Sequence, residues 1–224
     1  FSGHKDVITD MLAVNKLGLL ITASMDSYIK VWDLAGHELK RQLQGHAKGV
    51  YTLGYIPSQR YLISAGFGNT CKVWNPMIEE PLFTLKGHNN TIAGLNVIMG
   101  SNRIITADID GFVKVWDIRN FRCVQTISVE KAEPGSVTAI TYVDRLDRIV
   151  LTCVGLSTRR VHRMFCIDYE HSSAPEFAEE GPLVTALVSI TNNAIITASM
   201  RTVRLWDACT GLLKKSFGDM TKEN

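Results

Sequence analysis

An all-β fold made of repeated four-stranded antiparallel blades, a β-propeller, is predicted by two markers that share one period. Three tryptophans lie 42 residues apart in the 224-residue chain, at Trp32, Trp74 and Trp116. Three Gly-His pairs keep the same spacing, at Gly3-His4, Gly45-His46 and Gly87-His88. A period in the low forties is typical of propeller blades, so two markers in step indicate one blade copied along the chain.

A third marker extends the repeat to five units. Each unit opens with apolar residues at steps of three, and the first residues of these sets are Ile8, Val50, Ile92, Val137 and Val184. The chain is therefore expected to hold five blades, at about residues 3–44, 45–86, 87–133, 134–180 and 181–218.

Each unit contains segments suited to four strands. After the opening apolar strand, turn residues such as those at 15–18 lead into a short strand rich in β-branched residues, for example residues 19–23. A third strand carries the tryptophan, and in residues 29–33 lysine alternates with valine as expected for a strand with two different faces. A fourth, less apolar strand, as in residues 39–43, closes the blade.

The composition argues against nucleic-acid binding, disulfide bonding and a membrane helix. The formal net charge is only +2, and the basic residues do not cluster in the way that phosphate binding requires. Five cysteines without paired spacing, most of them inside apolar segments, favour a reducing compartment. No apolar run approaches the roughly 18 residues that a membrane helix needs. An intracellular, cytoplasmic protein is expected.

Units that open with Gly-His and close with Trp-Asp resemble the WD-repeat family of β-propellers, over about residues 3–218. The resemblance implies a buried hydrogen-bonded set in each blade, made of a histidine, a strand-two hydroxyl, a turn aspartate and the tryptophan. The first and third units supply complete sets, namely His4, Thr22, Asp26 and Trp32, and then His88, Thr106, Asp110 and Trp116. The second unit supplies a partial set of His46, Ser64 and Trp74, because Gly68 stands in place of the aspartate.

The last two units depart further from the family pattern. The fourth keeps Thr152 and has Phe165 near the tryptophan position, and the fifth has Gly181-Pro182 in place of Gly-His but keeps Thr197 and Trp206. Family members most often close with about seven blades. The five units are therefore expected to be part of a larger ring within a longer polypeptide, and a closed five-bladed ring is the alternative.

No enzyme, metal or cofactor is expected. The Ser/Thr-His-Asp sets recur in several units, which suits a structural role better than a catalytic triad. Residues 108–111 resemble the start of a calcium loop but lack its closing glutamate. Cys153, His162, Cys166 and His171 contain no close cysteine pair that would indicate zinc. A small-molecule site in the central channel would need a convergent polar set, which the opening strands do not supply.

The turn before each aspartate position carries a large apolar residue in the first three units. These residues are Met25, Phe67 and Ile109, and Lys5, Lys48 and Asn90 lie on the neighbouring loops. Grouped on one edge they would form a docking patch with a polar border, or they would pack on adjacent loops. The expected function is a non-catalytic scaffold that binds proteins or peptides. The alternative is a structural repeat element of a large cytoskeletal or ciliary (axonemal) assembly.

Overall fold

Strands account for nearly all the regular structure of the protein, as the sequence predicts. The computed structural model describes residues 3–129, 137–144, 147–154, 162–168, 176–179, 183–189, 194–199, 202–207 and 212–217. These residues form five four-stranded sheets with strands in sequence order, every neighbouring pair antiparallel. Within that part of the chain no α-helix occurs, and Asn15–Leu17 form a single turn of 3-10 helix. The all-β prediction is confirmed.

The first three sheets belong to one compact unit, residues 1–128. The first sheet contains β1 (Ile8–Val14), β2 (Leu19–Ser24), β3 (Ile29–Asp33) and β4 (Leu39–Leu43). The second contains β5 (Val50–Ile56), β6 (Tyr61–Gly66), β7 (Thr70–Trp74) and β8 (Phe83–Lys86). The third contains β9 (Ile92–Ile98), β10 (Arg103–Asp108), β11 (Phe112–Asp117) and β12 (Arg122–Ser128).

The last two sheets belong to a second compact unit, residues 129–224. The fourth sheet contains β13 (Val137–Val143), β14 (Arg148–Val154), β15 (His162–Asp168) and β16 (Glu176–Glu179). The fifth contains β17 (Leu183–Ser189), β18 (Ala194–Ser199), β19 (Val203–Asp207) and β20 (Leu213–Phe217). Gly181-Pro182 and His171 lie outside the described residues.

Apolar layers between neighbouring sheets hold the first unit together. One cluster joins buried residues of the first sheet, among them Ile21 and Val31, to Val50 and Trp74 of the second. A second cluster joins the second sheet to the third and includes Trp116. The opening strands lie beside one another, because β1 contacts β5 and β5 contacts β9. This order places the opening strands innermost, as in a propeller, and leaves the connecting turns at the sheet edges.

Strand register corrects one detail of the fourth unit. Trp32 lies opposite Leu20, two residues before the strand-two hydroxyl of Thr22. In the fourth sheet the position two residues before Thr152 is Val150, and its partner on β15 is Cys166. Cys166, and not Phe165, therefore takes the tryptophan position. The long connection between β14 and β15 removes the fixed spacing from which the position could have been counted.

Candidate functional site

The predicted set of the first blade is present. The Trp32 Nε1–H donates to Thr22 Oγ1 at 2.9 Å, and this oxygen lies 2.7 Å from His4 Nε2. On the other side of the ring, His4 Nδ1 lies 2.9 Å from Asp26 Oδ2. Because an indole can only donate, the threonine hydrogen is available to Nε2 of a neutral imidazole, whose Nδ1–H then donates to the carboxylate. The chain of donors ends on Asp26.

Asp26 is held by more than the histidine. Its carboxylate also accepts hydrogen bonds from the backbone N–H groups of Lys5 and Tyr28, at 2.9 and 3.0 Å. Burial raises the pKa of this carboxyl group, but the hydrogen bonds from Lys5, His4 and Tyr28 outweigh burial and keep the pKa below its ordinary value. Asp26 thus fixes the histidine loop against the turn between β2 and β3.

The third blade has the same set with a different carboxylate. Trp116 Nε1–H donates to Thr106 Oγ1 at 2.8 Å, and this oxygen lies 2.7 Å from His88 Nε2. His88 Nδ1 lies 2.8 Å from Asp108 Oδ2, so the prediction that Asp110 fills this role is wrong. Asp110 instead accepts a hydrogen bond from Asn90 Nδ2 at 3.2 Å.

The exchange has a simple physical reason. Asp110 matches Asp26 by the 42-residue period. Asp108 lies two residues earlier, is the last residue of β10, and is only 1% exposed. Its second oxygen accepts hydrogen bonds from the backbone N–H groups of Asp110 and Phe112. A carboxylate at the strand end can thus satisfy the histidine and the turn together. The sequence shows both aspartates, but the 42-residue period favours Asp110 and gives no reason to choose Asp108.

The second blade has the partial set that the sequence predicts. The Trp74 Nε1–H donates to Ser64 Oγ at 2.8 Å, and this oxygen lies 2.7 Å from His46 Nε2. Neither carboxylate position is filled, because Gly68 corresponds to Asp26 and Gly66 to Asp108. A side chain at Gly66 would collide with the backbone, since a β-carbon there would lie 2.3 Å from the Gly49 carbonyl oxygen.

His46 has no carboxylate beside it, and its pKa is lowered. Burial, and then the positive charge of Lys72, lowers its pKa from 6.5 to about 4. Well above pH 6.5 the ring is neutral in both folded and unfolded chains. As pH falls toward 4 the unfolded chain binds a proton that the folded chain does not, so the free energy of unfolding declines.

This proton uptake gives a measurable expectation. His46→Gln should remove a loss of about 2 kcal/mol in the free energy of unfolding that the wild-type chain suffers between pH 7 and pH 5. Urea denaturation of both chains at the two pH values measures the difference. An equal pH dependence in wild type and variant would show that His46 titrates normally.

The glycine of each Gly-His pair has a packing role. A β-carbon at Gly3 would lie 2.9 Å from Cη2 of Trp32, and one at Gly45 would lie 3.0 Å from Cη2 of Trp74. The glycine therefore lets the loop backbone lie directly on the indole edge of its own blade. This contact explains why the two sequence markers keep a fixed separation.

The later blades keep fewer elements of the set. In the fifth, Trp206 Nε1–H donates to Thr197 Oγ1 at 2.8 Å, as its retained residues suggest. In the fourth, the Thr152 hydroxyl lies 3.0 Å from the Thr138 hydroxyl on the neighbouring strand. The strand-two hydroxyl of this blade thus bonds to a threonine of the opening strand β13.

The apolar turn residues Met25, Phe67 and Ile109 are here called the apolar rim. Their backbone N–H groups donate to the carbonyl oxygens of Val7, Gly49 and Thr91 at 2.9, 3.0 and 2.9 Å. Each donor stands 18 residues after its acceptor, so the three turns are fixed against their entry loops in the same way. All three side chains are partly exposed.

Contacts between blades join these turns into one edge. Met25 lies against Gly49, where a β-carbon would be 2.9 Å from its sulfur. The Phe67 ring packs on Tyr51 with 4.5 Å between centroids, and the Phe67 carbonyl accepts a hydrogen bond from Thr91 Oγ1 at 3.4 Å. Packing on adjacent loops, the alternative to a docking patch, is thus present for Met25 and Phe67, but it leaves part of each side chain exposed.

The polar residues predicted around the rim are placed on the same edge. Lys5 and Lys48 are exposed, and Asn90 is half-buried against Asp110. A cavity of about 470 Å³ opens beside Phe67, and Lys48 and Asn90 line it together with His46. No sequence motif predicts this cavity, because its walls come from two blades.

Among the residues that the structure describes, no group of three or more histidine, cysteine or acidic side chains is arranged to hold a metal ion. Within the same part of the chain, no helix is long and apolar enough to cross a membrane. Cys153 is a buried thiol on β14, and the side chains of His162 and Cys166 are outside the described set.

These features define the class of protein as a β-propeller made of repeated blades with buried Trp-hydroxyl-His sets. The family model of the WD domain, G-beta repeat, matches residues 1–33, 37–75 and 79–117. The chain belongs to the WD-repeat family.

The chain is similar in sequence to one known protein and in fold to another. It is 30% identical over 222 residues to cilia- and flagella-associated protein 337 B of Tetrahymena thermophila, and the matched region covers 98% of this chain and 17% of that protein. The chain thus spans a small part of that relative's length. The computationally designed protein Ika8 shares the fold, with a TM-score of 0.75, 22% identity, and coverage of 96% of this chain and 63% of that one.

Proposed function

We propose that the chain is a non-catalytic scaffold that binds a partner protein or peptide through the apolar rim. The observation that carries this proposal is the continuous line of contacts from Met25 through Gly49, Phe67 and Thr91 to Ile109. Apolar side chains held by a rigid backbone lose little conformational entropy on binding, which favours affinity. Lys5 and Lys48 border the rim and supply the polar margin typical of interfaces.

Proteins of the WD-repeat family typically bind other proteins, and a structural role of the buried sets is compatible with such a function. Each Thr-His-Asp group in the first and third blades is enclosed beneath an indole and satisfied by its own neighbours. His88 and Asp108 are almost fully buried, so a substrate has no access to them. These groups therefore stabilise the blades, and the exposed turns remain for recognition.

Variants of the rim test the proposal. Phe67→Asp and Ile109→Asp should each reduce the amount of partner captured from a native extract at least about tenfold, because a buried charge opposes apolar docking. Quantitative mass spectrometry of the captured proteins measures this loss. Met77→Asp is the matched control, since Met77 is 48% exposed and lies in the turn between β7 and β8, at the opposite sheet edge.

The outcomes separate folding from binding. Thermal unfolding of each variant shows whether the chain is still folded, and two rim positions are used because Phe67 also packs on Tyr51. Partner capture at wild-type levels by both folded variants would refute docking through the apolar rim.

A second candidate is a structural repeat element of a ciliary assembly. It is favoured by the similarity over 98% of this chain to a protein named as cilia- and flagella-associated. In that role the blades would make permanent contacts with neighbouring components of the cilium or cytoskeleton. The two candidates differ in whether one partner recurs at the rim or many neighbours surround the whole chain.

A further inference from the structure

The cavity beside the apolar rim lies where the second blade departs from its neighbours. It has a volume of about 470 Å³, within the range of ligand pockets. Side chains and backbone from two blades line it, including His46, Lys48, Phe67, Gly68, Lys72 and Asn90. Among its lining residues, all in the described part of the chain, none is acidic. The cavity is therefore polar and carries positive charge.

The equivalent place in the first blade holds a carboxylate. Asp26 accepts hydrogen bonds there from His4 Nδ1 and from the Lys5 backbone N–H, both at 2.9 Å. Forty-two residues later the chain has Gly68, so the second blade lacks this group. The space is open, because a β-carbon at Gly68 would meet nothing closer than Thr70 Oγ1 at 3.9 Å.

The hydrogen-bond chain of the second blade consequently ends on an unused donor. Trp74 donates to Ser64, and the Ser64 hydroxyl is then available to His46 Nε2. The neutral ring that continues this chain carries its proton on Nδ1, which has no hydrogen-bond partner within residues 3–129. A half-buried N–H without an acceptor is costly, and a carboxylate is the acceptor that the first blade supplies.

Two lysines strengthen the preference for an anion. Lys72 lines the cavity and donates to Thr84 Oγ1 at 3.2 Å, and burial, then the charge of Lys86, lowers its pKa. Burial disfavours the charged form of Lys72, and a nearby negative charge would offset that effect. Lys48 is exposed at the mouth. A bound anion would therefore relieve repulsion between cations as well as satisfy the histidine.

We propose that this cavity binds the carboxylate of a glutamate or aspartate side chain from an acidic segment of the partner protein. The bound group takes the place in the second blade that Asp26 holds in the first. The inference rests on the proposed scaffold function and names the chemistry of its partner. A peptide side chain is favoured over a small free ion because the cavity is much larger than a carboxylate and adjoins Phe67 of the apolar rim.

Histidine NMR on the 224-residue chain tests the proposal directly. The probe is an acetylated, amidated tetraglutamate peptide, and tetraglutamine of the same length is its neutral match. Tetraglutamate should shift the His46 ring signals saturably and raise the pKa of His46 by about one unit or more, because a nearby negative charge favours the imidazolium. Tetraglutamine should do neither.

A variant that fills the site supplies the control within the chain. Gly68→Asp should itself raise the pKa of His46 and abolish the response to tetraglutamate, since the missing carboxylate is then present in the same blade. Lys48→Gln should weaken binding of the peptide severalfold, because it removes one of the positive charges at the mouth of the cavity. The open surroundings of Gly68 make a folded variant the expected result.

Other outcomes would overturn the proposal. No shift with tetraglutamate, or an equal shift in wild type and Gly68→Asp, would show that the cavity does not take a carboxylate. A response to sodium acetate or inorganic phosphate but not to tetraglutamate would assign the cavity to a small free anion. Because the readout is His46 in the isolated chain, failure here leaves docking through the apolar rim standing, and failure of rim docking leaves this result standing.

Discussion

Asp108→Ala is expected to lower the free energy of unfolding by about 3 kcal/mol, whereas Asp110→Ala should cost about 1 kcal/mol or less. Asp108 is 1% exposed and bonds to the His88 ring at 2.8 Å. It also accepts two backbone N–H groups of the turn between β10 and β11. Its removal leaves the buried His88 ring donor and two partly buried backbone N–H groups without their acceptor, and each such donor costs free energy.

Asp110 is a close control for that substitution. It lies two residues away, has the same side chain, and bonds to Asn90 in a partly exposed position. Urea denaturation of both variants at neutral pH gives the comparison. Equal losses, or a larger loss for Asp110, would mean that the period-based assignment of the set was correct and that His88 bonds to Asp110.

Trp116→Ala should cost about 3–5 kcal/mol, the range for removing a large buried aromatic side chain. Trp116 is 2% exposed and belongs to the apolar cluster between the second and third sheets. Its N–H donates to Thr106, so the alanine variant loses both apolar contact and a hydrogen bond. The alanine variant would weaken the packing between the second and third sheets, which meet along β5 and β9.

Trp116→Phe divides the two contributions. Phenylalanine keeps most of the apolar area but cannot donate to Thr106, so this variant should lose about 1–2 kcal/mol. Chemical denaturation followed by circular dichroism measures all three chains. A loss below about 1 kcal/mol for Trp116→Ala would contradict the view that the tryptophans anchor neighbouring blades.

Much of the fold could be predicted because the repeat markers are themselves the packing contacts. Glycine lies on the indole edge, and the indole bonds to the strand-two hydroxyl, so their separation along the chain is physically fixed. Counting by 42 residues therefore places the strands of the first three blades and the complete set of the first, but not the carboxylate of the third. Where a connection changes length, as between β14 and β15, the count no longer fixes the register, and Cys166 was missed.

The other features that were not predicted depend on burial and on contacts between blades, which a repeat period does not determine. Two aspartates in one turn can reach the same histidine, and only burial decides in favour of Asp108. The cavity is lined by Gly68 and its neighbours and by residues 89–91 of the next blade, which are separated in the sequence. The resemblance to the family implied that the residues of the apolar rim share one edge, but their contacts with Gly49 and Tyr51 required coordinates. Docking at the rim stays a prediction.

Cross-linking mass spectrometry in a native extract tests the central claim, partner docking at the apolar rim, most directly. Lys5 and Lys48 are exposed beside the rim and are suitable reporters. The scaffold proposal predicts that both cross-link to one recurrent partner, near an acidic segment, and that Phe67→Asp removes these links. Links scattered over many neighbouring components and unchanged by Phe67→Asp would contradict it and favour the structural element of a ciliary assembly.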